Sequence, residues 1–445
     1  MGLRESSPAV WHLLMCLLVI LVTSLALGLA VRRLSRVERA WIWAGLGVHV
    51  LASFALLLVI VEVYGIGDVV TFFRQGELLV RYVHAGGDTW DLVLLVFQQQ
   101  VHFPFLVLGI GSPTGSMSGA AAFLLLAVNS IWAGNLIVGL FAFSGELALY
   151  VGLRPFLAPE QRLRALLAAL FVPSLTFWCG GLVKEAVAMG GLGWLCFGLS
   201  TIARRQLHGA LICIPAVVCV ALAKPYFLLP TVIAASVWFY WERGLRTQGI
   251  RFRVHPGRLV VVLLVAVVGV VAFGTLFPQY SIENLGEQAA MQQYFGARVE
   301  GGSNYQTGAG GQDRSLVGQL AFAPLGLVSA WFRPFPFEIS NAAIFVSSAE
   351  ATALLLLFLR VFWVLGPAQV WRRLLSSPVL MACLAFAVLS GIGIGIASTN
   401  LGSLSRYRAP MMPFFVLMLL LLDQRRPVAN EAKSDSHSST TRSRS

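Results

Sequence analysis

The amino-acid sequence predicts an all-α, polytopic integral membrane protein with about eleven transmembrane helices by the helix-length criterion. Of its 445 residues, 57% are hydrophobic and only 12% are charged, and the mean hydropathy is +0.78. A soluble domain typically has about 25% charged residues. Short clusters of arginine and lysine separate the apolar runs, as in the cytoplasmic loops of membrane proteins. This pattern assigns the basic clusters to the cytoplasm and the other loops to the outer face.

Six basic clusters define this sidedness. They are Arg32–Arg39, Arg154–Arg164, Arg204–Arg205, Arg243–Arg258, Arg372–Arg373 and Arg425–Arg426. Because they account for most of the net charge of +12, that charge requires no nucleic-acid partner. The cysteines show neither CxxC nor Cys/His spacing, so the sequence predicts neither disulfides nor zinc. The expected orientation has the N-terminus outside and the C-terminus in the cytoplasm.

The first two apolar runs, Ala9–Val31 and Ala40–Val63, are long enough to cross the hydrocarbon layer. The first is too long for a signal-peptide core, and we interpret it as a retained helix. A large outer loop is expected at about 64–117, in which Asp68–His84 is predicted to be an amphipathic helix at the interface. A third crossing, predicted within Ser118–Leu153, returns the chain to the cytoplasm.

Two hairpins are predicted next, because the second, third and fourth basic clusters require the chain to leave and return between them. The first hairpin has its tip at Trp178–Glu185. A single helix in place of the second hairpin would span roughly 50 Å, so this segment is expected to turn near Lys224–Pro225. Pro215 and Pro230 favour partial or broken crossings in its two arms.

The C-terminal half is predicted to contain four more crossings. Leu259–Leu276 leaves the cytoplasm, and a second large outer loop with amphipathic or re-entrant helices follows at about 277–345. Ser348–Gly366 returns, Val379–Ser398 leaves, and Ala409–Leu422 is a short final crossing.

The predicted domain organisation is a single polytopic membrane domain at 1–427. A disordered cytoplasmic tail is expected at 428–445, where serine, lysine and arginine dominate. No internal repeat of the kind found in inverted-topology transporters is recognisable.

Two groups of polar residues in the predicted outer segments suggest chemistry. Asp68 follows Gly65-Ile66-Gly67 directly after a membrane exit and is a candidate general base or orienting group for a hydroxyl; alternatively, it caps a helix. Lys184 and Glu185 lie at a hairpin tip, where an adjacent ionisable pair is costly unless it is paired or functional. Lys184 is a candidate ligand for phosphate and Glu185 for a sugar hydroxyl. Interfacial anchoring is the alternative, and it is our interpretation of Lys224 at the neighbouring tip.

Three arginines in outer segments are candidate phosphate ligands. Arg333 lies among prolines and aromatic residues in Trp331–Glu338, which favours one fixed pose for its guanidinium group. Arg406 and Arg408 precede the short last crossing, against the usual charge bias of outer segments. The alternatives are an interfacial turn for Arg333 and contact with ordinary anionic lipid for the other two.

Other residues contribute less to the functional interpretation. Glu146 and Glu350 lie in predicted crossings, where each is either functional or paired with a neighbouring helix. The histidines show no ligand spacing, so no metal is predicted. The sequence contains no Walker-type loop, dinucleotide fingerprint or nucleophile elbow, which argues against ATP-driven transport and serine hydrolysis.

The arrangement resembles the multi-spanning GT-C-type glycosyltransferases and the O-antigen or exopolysaccharide repeat-unit polymerases. The stretches that carry the resemblance are Gly67-Asp68, Pro173–Glu185 (PSLTFWCGGLVKE), Pro324–Glu338 (PLGLVSAWFRPFPFE) and Asn400–Pro413 (NLGSLSRYRAPMMP). The acidic pair often found in the first GT-C loop is reduced here to Asp68, with Asp88 and Asp91 farther along. This difference favours the polymerase group, whose members resemble metal-independent catalysts.

The resemblance implies a transferase that uses a polyprenyl-phosphate- or diphosphate-linked saccharide in the lipid bilayer and needs no cofactor. Other polysaccharide assembly proteins are expected partners. Arg333, Arg406 and Arg408 are then expected to bind the lipid phosphate with help from Lys184, while Asp68 or Glu185 acts on the acceptor. Two alternatives remain: a transporter or flippase for a lipid-linked anion, and a structural subunit of an envelope complex.

Overall fold

The computed structural model describes residues 8–248, 256–278, 281–298, 303–305 and 313–423, and the predicted tail at 428–445 lies outside them. The described residues form helices and no strand, apart from one isolated bridge between Asn304 and Asn400. Among the described residues, seven helices are long and apolar enough to cross a membrane. The predicted all-α, polytopic membrane class is therefore confirmed.

Twenty α-helices follow one another in the ranges that the structure describes. They are α1 (Ala9–Val31), α2 (Arg36–Leu58), α3 (Asp68–His84), α4 (Thr89–Val96), α5 (Pro113–Val128), α6 (Ile131–Leu153), α7 (Pro159–Leu170), α8 (Pro173–Trp178), α9 (Lys184–Ala203), α10 (Gly209–Ala223), α11 (Leu228–Gln248), α12 (Pro256–Leu276), α13 (Ile282–Gly296), α14 (Leu316–Leu320), α15 (Ala323–Phe332), α16 (Ala342–Leu365), α17 (Pro367–Leu375), α18 (Pro378–Ala397), α19 (Leu401–Tyr407) and α20 (Met412–Leu422). This order contains both predicted hairpins.

The seven spans do not establish the predicted count of about eleven crossings. They are Ala9–Val31, Arg36–Tyr64, Ile131–Phe156, Lys184–Ala203, Ala342–Leu365, Pro378–Ala397 and Leu401–Leu422. The other four predicted crossings fall on α7 with α8, on α10, on α11 and on α12. The first of these is interrupted at Phe171-Val172, and α10 has only 15 residues. The break between α7 and α8 and the short length of α10 explain why neither segment is a single long apolar helix.

Arginines from three segments converge on the C-terminal end of α20. Arg164 donates a hydrogen bond to the carbonyl oxygen of Leu420 (2.9 Å), and Arg373 donates one to that of Leu422 (2.7 Å). Arg360 pairs with Asp423 at 2.8 Å. Cations at a helix C-terminus are favourable because the last carbonyl groups lack partners within the helix. We call this end of the bundle the basic end.

The opposite end carries α3, α4 and α5. Helix α3 has the bounds predicted for the amphipathic helix, and it buries Val69, Phe72, Phe73 and Leu79. The two ends of α5 are both held at this end of the bundle, because Thr114 contacts Lys184 and the carbonyl of Val128 accepts a hydrogen bond from Trp11.

The third crossing lies within the predicted run Ser118–Leu153, as helix α6 (Ile131–Leu153). The first part of that run belongs to a separate helix, α5. Asn129 adopts a left-handed conformation that ends α5, and the Ser130 hydroxyl then caps α6 by accepting a hydrogen bond from the Ala133 amide. These two polar residues therefore divide an otherwise apolar run into two helices.

At two contacts between helices, a glycine lets the two backbones touch each other directly. A Cβ atom on Gly193 of α9 would lie 1.8 Å from the carbonyl oxygen of Gly145 on α6. In the same way, a Cβ atom on Gly395 of α18 would lie 1.8 Å from the carbonyl oxygen of Gly326 on α15. Small residues at such contacts let membrane helices approach closely.

Helix α15 packs along α18 and follows the segment that was predicted to be the second outer loop. It starts beside Gly395, and its Trp331 indole donates a hydrogen bond to the carbonyl of Ala387 (3.3 Å). Ala387 lies about 15 Å from the Ala397 end of α18, roughly halfway along that helix. The chain then reverses and enters α16, so α15 has the geometry expected of a re-entrant helix.

Candidate functional site

Four of the predicted site residues meet at the end opposite the basic end. The Arg406 guanidinium donates from Nε to Glu185 Oε1 (2.9 Å) and from Nη2 to Asp68 Oδ2. Lys184 lies beside them at the start of α9. The chain separates Asp68 from Arg406 by 338 positions, so only the tertiary fold brings them together.

Lys224 completes this group, although the sequence suggested only interfacial anchoring for it. Its ammonium group pairs with Glu185 Oε1 at 2.8 Å and lies 4.1 Å above the Tyr407 ring. The sequence signal was that Lys224 occupies the tip of the neighbouring hairpin, as Lys184 does. We call Asp68, Lys184, Glu185, Lys224 and Arg406 the Arg406 cluster.

Local backbone geometry places Asp68 and its carboxylate. Gly65 and Gly67 have φ angles of 66° and 136°, which favour glycine, and they turn the chain sharply from α2 into α3. Asp68 is the first residue of α3, but its carboxylate binds Arg406 and does not cap the helix, since Gly67 occupies the N-cap position without a side-chain bond. The helix-cap interpretation of Asp68 is therefore wrong.

The hairpin tip before Lys184 is held by a buried amide. Asn135 of α6 accepts a hydrogen bond from the Leu182 amide (2.9 Å) and donates to the carbonyl and hydroxyl oxygens of Ser53. Gly181 passes so close to Asn135 that a Cβ atom would lie 2.1 Å from its Oδ1. Lys184 follows this tip, and its ammonium group donates a hydrogen bond to the Thr114 hydroxyl (2.9 Å).

The Arg406 cluster contains three cations and two carboxylates, an excess of one positive charge. Burial is the largest single effect and opposes ionisation of Asp68, but the charge and hydrogen bond of Arg406, together with the charge of Lys184, hold the pKa of Asp68 below its usual value. Burial likewise opposes the charged form of Lys224, but Glu185 raises its pKa. Asp68 and Lys224 are therefore both ionised at neutral pH.

Arg408 begins a second group next to the first. Its side chain is 0% exposed, and its Nη1 donates to the carbonyl oxygens of Arg333 (2.5 Å) and Ala330 (3.2 Å). Glu350 Oε1 lies 3.9 Å from its Nη2. The Nε and Nη2 groups have no hydrogen-bond partner among the described residues. A buried donor without a hydrogen-bond partner destabilises the fold, so the presence of these donors requires an explanation.

Arg333 also has an unfilled donor. Its Nε lies 3.2 Å from Glu338 Oε1, and its guanidinium group lies 4.3 Å above the Tyr305 ring. Arg333 Nη1 and the Tyr305 hydroxyl are buried without a hydrogen-bond partner in the part of the chain that the structure describes. We call Tyr305, Arg333, Glu338, Glu350 and Arg408 the Arg408 cluster.

Sequence reasoning missed Tyr305. Its amide donates to the carbonyl of Thr399 (2.8 Å), and the Leu401 amide donates to that of Ser303 (2.9 Å). These bonds connect residues 303–305 to the N-terminal end of α19. The pairing joins segments nearly a hundred positions apart, and no local pattern in either segment indicates it.

All six predicted site residues therefore fall in two adjoining clusters. Arg406 and Arg408 are separated by one residue at the end of α19, and Arg408 contacts the backbone of Arg333. The structure thus places Arg333 and Arg406 at the same end of the bundle. It separates them into different surroundings, since Arg406 binds two carboxylates whereas Arg333 stacks on an aromatic ring.

The two acids in predicted crossings have partners. Glu146 pairs with His49 at 2.7 Å, and the other ring nitrogen of His49 bonds to the carbonyl of Gly45. Glu350 accepts hydrogen bonds from the amide and hydroxyl of Ser174, both at 2.6 Å. Within the described ranges, no group of three or more His, Cys, Asp or Glu side chains is arranged to hold a metal ion.

Comparison with known proteins gives no match to a protein-family model, to a curated protein or to a solved structure.

Proposed function

We propose that this protein is a membrane glycosyltransferase or polysaccharide polymerase. It transfers a sugar or oligosaccharide from a polyprenyl-phosphate- or diphosphate-linked donor on the outer face of a bacterial inner membrane. The observation that carries the proposal is the Arg406 cluster: ionisable residues from four distant segments meet at the end of the bundle opposite the basic end. Ionisable residues inside a membrane protein are costly and usually mark a functional site.

The unfilled donors of the Arg408 cluster support a phosphate ligand. A buried donor without an acceptor costs roughly 1–3 kcal/mol, more when it is charged. Arg408 offers Nε and Nη2, and Arg333 offers Nη1. Phosphate oxygens match the planar fork of a guanidinium group, so an anionic lipid headgroup would satisfy donors that the protein leaves open.

Lys184 and Arg406 supply further positive charge for this headgroup. Lys184 uses one of its three donors on the Thr114 hydroxyl, and Arg406 uses Nε and Nη2 on carboxylates, which leaves Nη1. In the reaction, the bond between the anomeric carbon and the phosphate oxygen breaks, and its electron pair stays on the lipid phosphate. Preorganised cations stabilise the negative charge that develops there.

The two carboxylates have different roles in this proposal. Glu185 is 0% exposed and binds both Lys224 and Arg406, so it positions these cations and does not touch the acceptor. The Asp68 side chain is 40% exposed, and its Oδ1 remains for an acceptor hydroxyl. Because its pKa is lowered, Asp68 is a weak base that orients the hydroxyl. The acceptor oxygen bonds to the anomeric carbon and releases its proton to water.

A carrier of a lipid-linked anion is the second candidate. Two interrupted segments favour it, since the α7–α8 and α19–α20 segments are broken beside the two clusters. Transporters often bind substrates where helices are discontinuous. Bond formation between saccharides in reconstituted vesicles would support the transferase, whereas net translocation without bond formation would support the carrier.

We expect Arg333→Ala and Arg406→Ala each to abolish the glycan product at normal membrane abundance. Both changes remove a cation that the proposal places at the leaving phosphate. The measurement is transfer from a polyprenyl-diphosphate-linked oligosaccharide in membrane vesicles. Arg314→Ala is the matched control, because Arg314 is exposed and its partner Glu287, at 3.7 Å, is exposed as well. Full product formation in both site variants would refute the assigned roles.

A further inference from the structure

An open cavity of about 410 Å³ lies beside the Arg406 cluster. Its volume falls within the range of about 300–1,000 Å³ that is common for ligand sites. Its walls come from the loop after α4, from α10 and from the end of α12. None of the predicted site residues lines it, so it is separate from the two clusters.

The walls of this cavity are mostly apolar. Helix α10 contributes Val218, Ala221 and Leu222, and the end of α12 contributes Leu276. The loop after α4 contributes Phe97 and the polar Gln98 and Gln99. A ligand that fills the cavity therefore needs an apolar part and an adjoining polar part.

The α10 and α12 walls of the cavity belong to helices with exposed apolar surface. Helix α10 packs mainly on α9, and α12 packs on α11. Ile214 and Val218 on α10 and Val267 and Val271 on α12 are exposed. Exposed apolar surface on such helices matches the hydrocarbon layer. An opening between α10 and α12 would therefore connect the cavity with lipid.

Two short stretches of chain connect the walls of the cavity to the Arg406 cluster. Leu222 lies two residues before Lys224, which pairs with Glu185. Gly111 lines the cavity three residues before Thr114, whose hydroxyl binds Lys184. Gln98 fixes this arrangement, because its amide donates to the carbonyl of Leu222 (3.0 Å).

We propose that this cavity binds the part of a polyprenyl chain nearest its headgroup and that the chain enters between α10 and α12. The proposal rests on the proposed function, because it names the entry route of the lipid-linked substrate. The phosphate then reaches Lys184, and the distal isoprenoid units remain in the bilayer. A free saccharide fits less well, since most of the described lining is apolar and only Gln98 and Gln99 in it carry polar side chains.

Photocrosslinking in phosphatidylcholine nanodiscs tests the route. A photoreactive benzoyl-phenylalanine replaces Val218 in the cavity or, as control, Val346 near the outer end of α16. Both lie a few residues from a helix end, and Val346 is the more exposed, 60% against 36%. We expect a radiolabelled polyprenyl diphosphate to label position 218 at least about fivefold more than position 346, a preference of roughly 1 kcal/mol. Unlabelled polyprenyl diphosphate should compete, and phosphatidylglycerol should not.

The outcomes separate this proposal from the proposed function. If the probe binds the protein in a Lys184-dependent way but labels position 346 as strongly as 218, the route is wrong and the transferase remains. If the probe does not bind at all, both fail. Labelling by free radiolabelled saccharide alone would assign the cavity to an acceptor and overturn the lipid route. A photoreactive residue at exposed Gln99 gives the same readout if position 218 does not tolerate the change.

Discussion

Arg406 shows how one side chain joins three helices. Its guanidinium group connects α19 to Asp68 on α3 and to Glu185 on α9. A buried charge is tolerated when opposite charges and hydrogen bonds compensate it, and removal of one partner leaves the other without compensation. Glu185 contributes most to this charge compensation, because it pairs with both Arg406 and Lys224.

We expect Glu185→Gln to lower the free energy of unfolding by roughly 3–5 kcal/mol, the usual cost of removing one member of a buried ion pair. Arg406 and Lys224 would then share less negative charge in a buried site. Unfolding of the purified protein in detergent, followed by circular dichroism, measures this change. Glu287→Gln is the control, because Glu287 and its partner Arg314 are exposed, and we expect no measurable effect. Equal stability of the two variants would contradict the central position of Glu185.

A second prediction concerns the pH dependence of the Asp68–Arg406 pair. The folded-state pKa of Asp68 is lowered, mainly by Arg406 against the effect of burial. Such a group stabilises the fold fully above its unfolded-state pKa of about 3.9 and loses this effect as pH falls through the folded-state pKa. The difference in melting temperature between wild type and Asp68→Asn should therefore be constant from about pH 7 to pH 5 and shrink only below about pH 4. A difference that already shrinks between pH 7 and pH 5 would contradict this assignment.

Sequence reasoning found these residues because charged side chains are unusual at the outer ends of membrane helices. It could not assign their partners. Glu185 pairs with Lys224 and Arg406 and not with its neighbour Lys184, since the first turn of α9 points the two side chains in different directions. Tyr305 carries no charge and lies in a polar loop, so nothing in its local sequence marked it.

Interrupted and closely packed helices shape the site at the level of elements. Helix α15 brings Arg333 to the Arg408 cluster, and its position depends on the contact between Gly326 and Gly395. Any side chain at Gly395 would overlap the α15 backbone, which is rigid and cannot move aside as a flexible side chain does.

We expect Gly395→Val to displace α15 and to abolish transferase activity, although the substitution is remote from the substrate. Gly393→Val is the matched control on the same helix, because a Cβ atom at Gly393 meets nothing within 4 Å. Activity in membrane vesicles and limited proteolysis of the outer loop measure the effect. The interpretation fails if both valine variants keep wild-type activity and the same proteolytic pattern.

The sequence predicted most elements but not every boundary. The bounds of α3 and both hairpin turns are confirmed, because an amphipathic pattern and flanking basic clusters determine them. The division of the run Ser118–Leu153 into α5 and α6 was not predicted, because Asn129 and Ser130 are short signals within a long apolar run. The interruption between α7 and α8 has a weak sequence signal, a single proline at position 173.

The whole molecule has two chemically different ends. Arg164, Arg360 and Arg373 bind the end of α20, whereas the Arg406 and Arg408 clusters lie beyond its start. Helix α20 itself spans about 16 Å. The positive-inside rule assigns the first end to the cytoplasm, and the proposed function requires the second end to face outward.

Cysteine labelling tests this orientation. We expect Trp90→Cys on α4 to react with a membrane-impermeant maleimide on intact spheroplasts, because α4 belongs to the outward end. Trp371→Cys on α17 should react only after permeabilisation. Both tryptophans are exposed, and the six native cysteines are buried or partly buried, so the wild-type protein gives the background. Labelling in the opposite order would reverse the topology and exclude an outer-face transferase.

The order of the chain has a consequence for biogenesis. Arg406 and Arg408 lie in the last of the described helical segments, whereas Asp68, Lys184 and Glu185 are synthesised long before them. A nascent chain on the ribosome therefore inserts its carboxylates and lysines first and acquires its guanidinium groups only when α19 and α20 enter the membrane. If the two clusters bind the phosphate of a lipid-linked donor, as proposed, an unfinished polypeptide lacks the guanidinium groups that this binding requires.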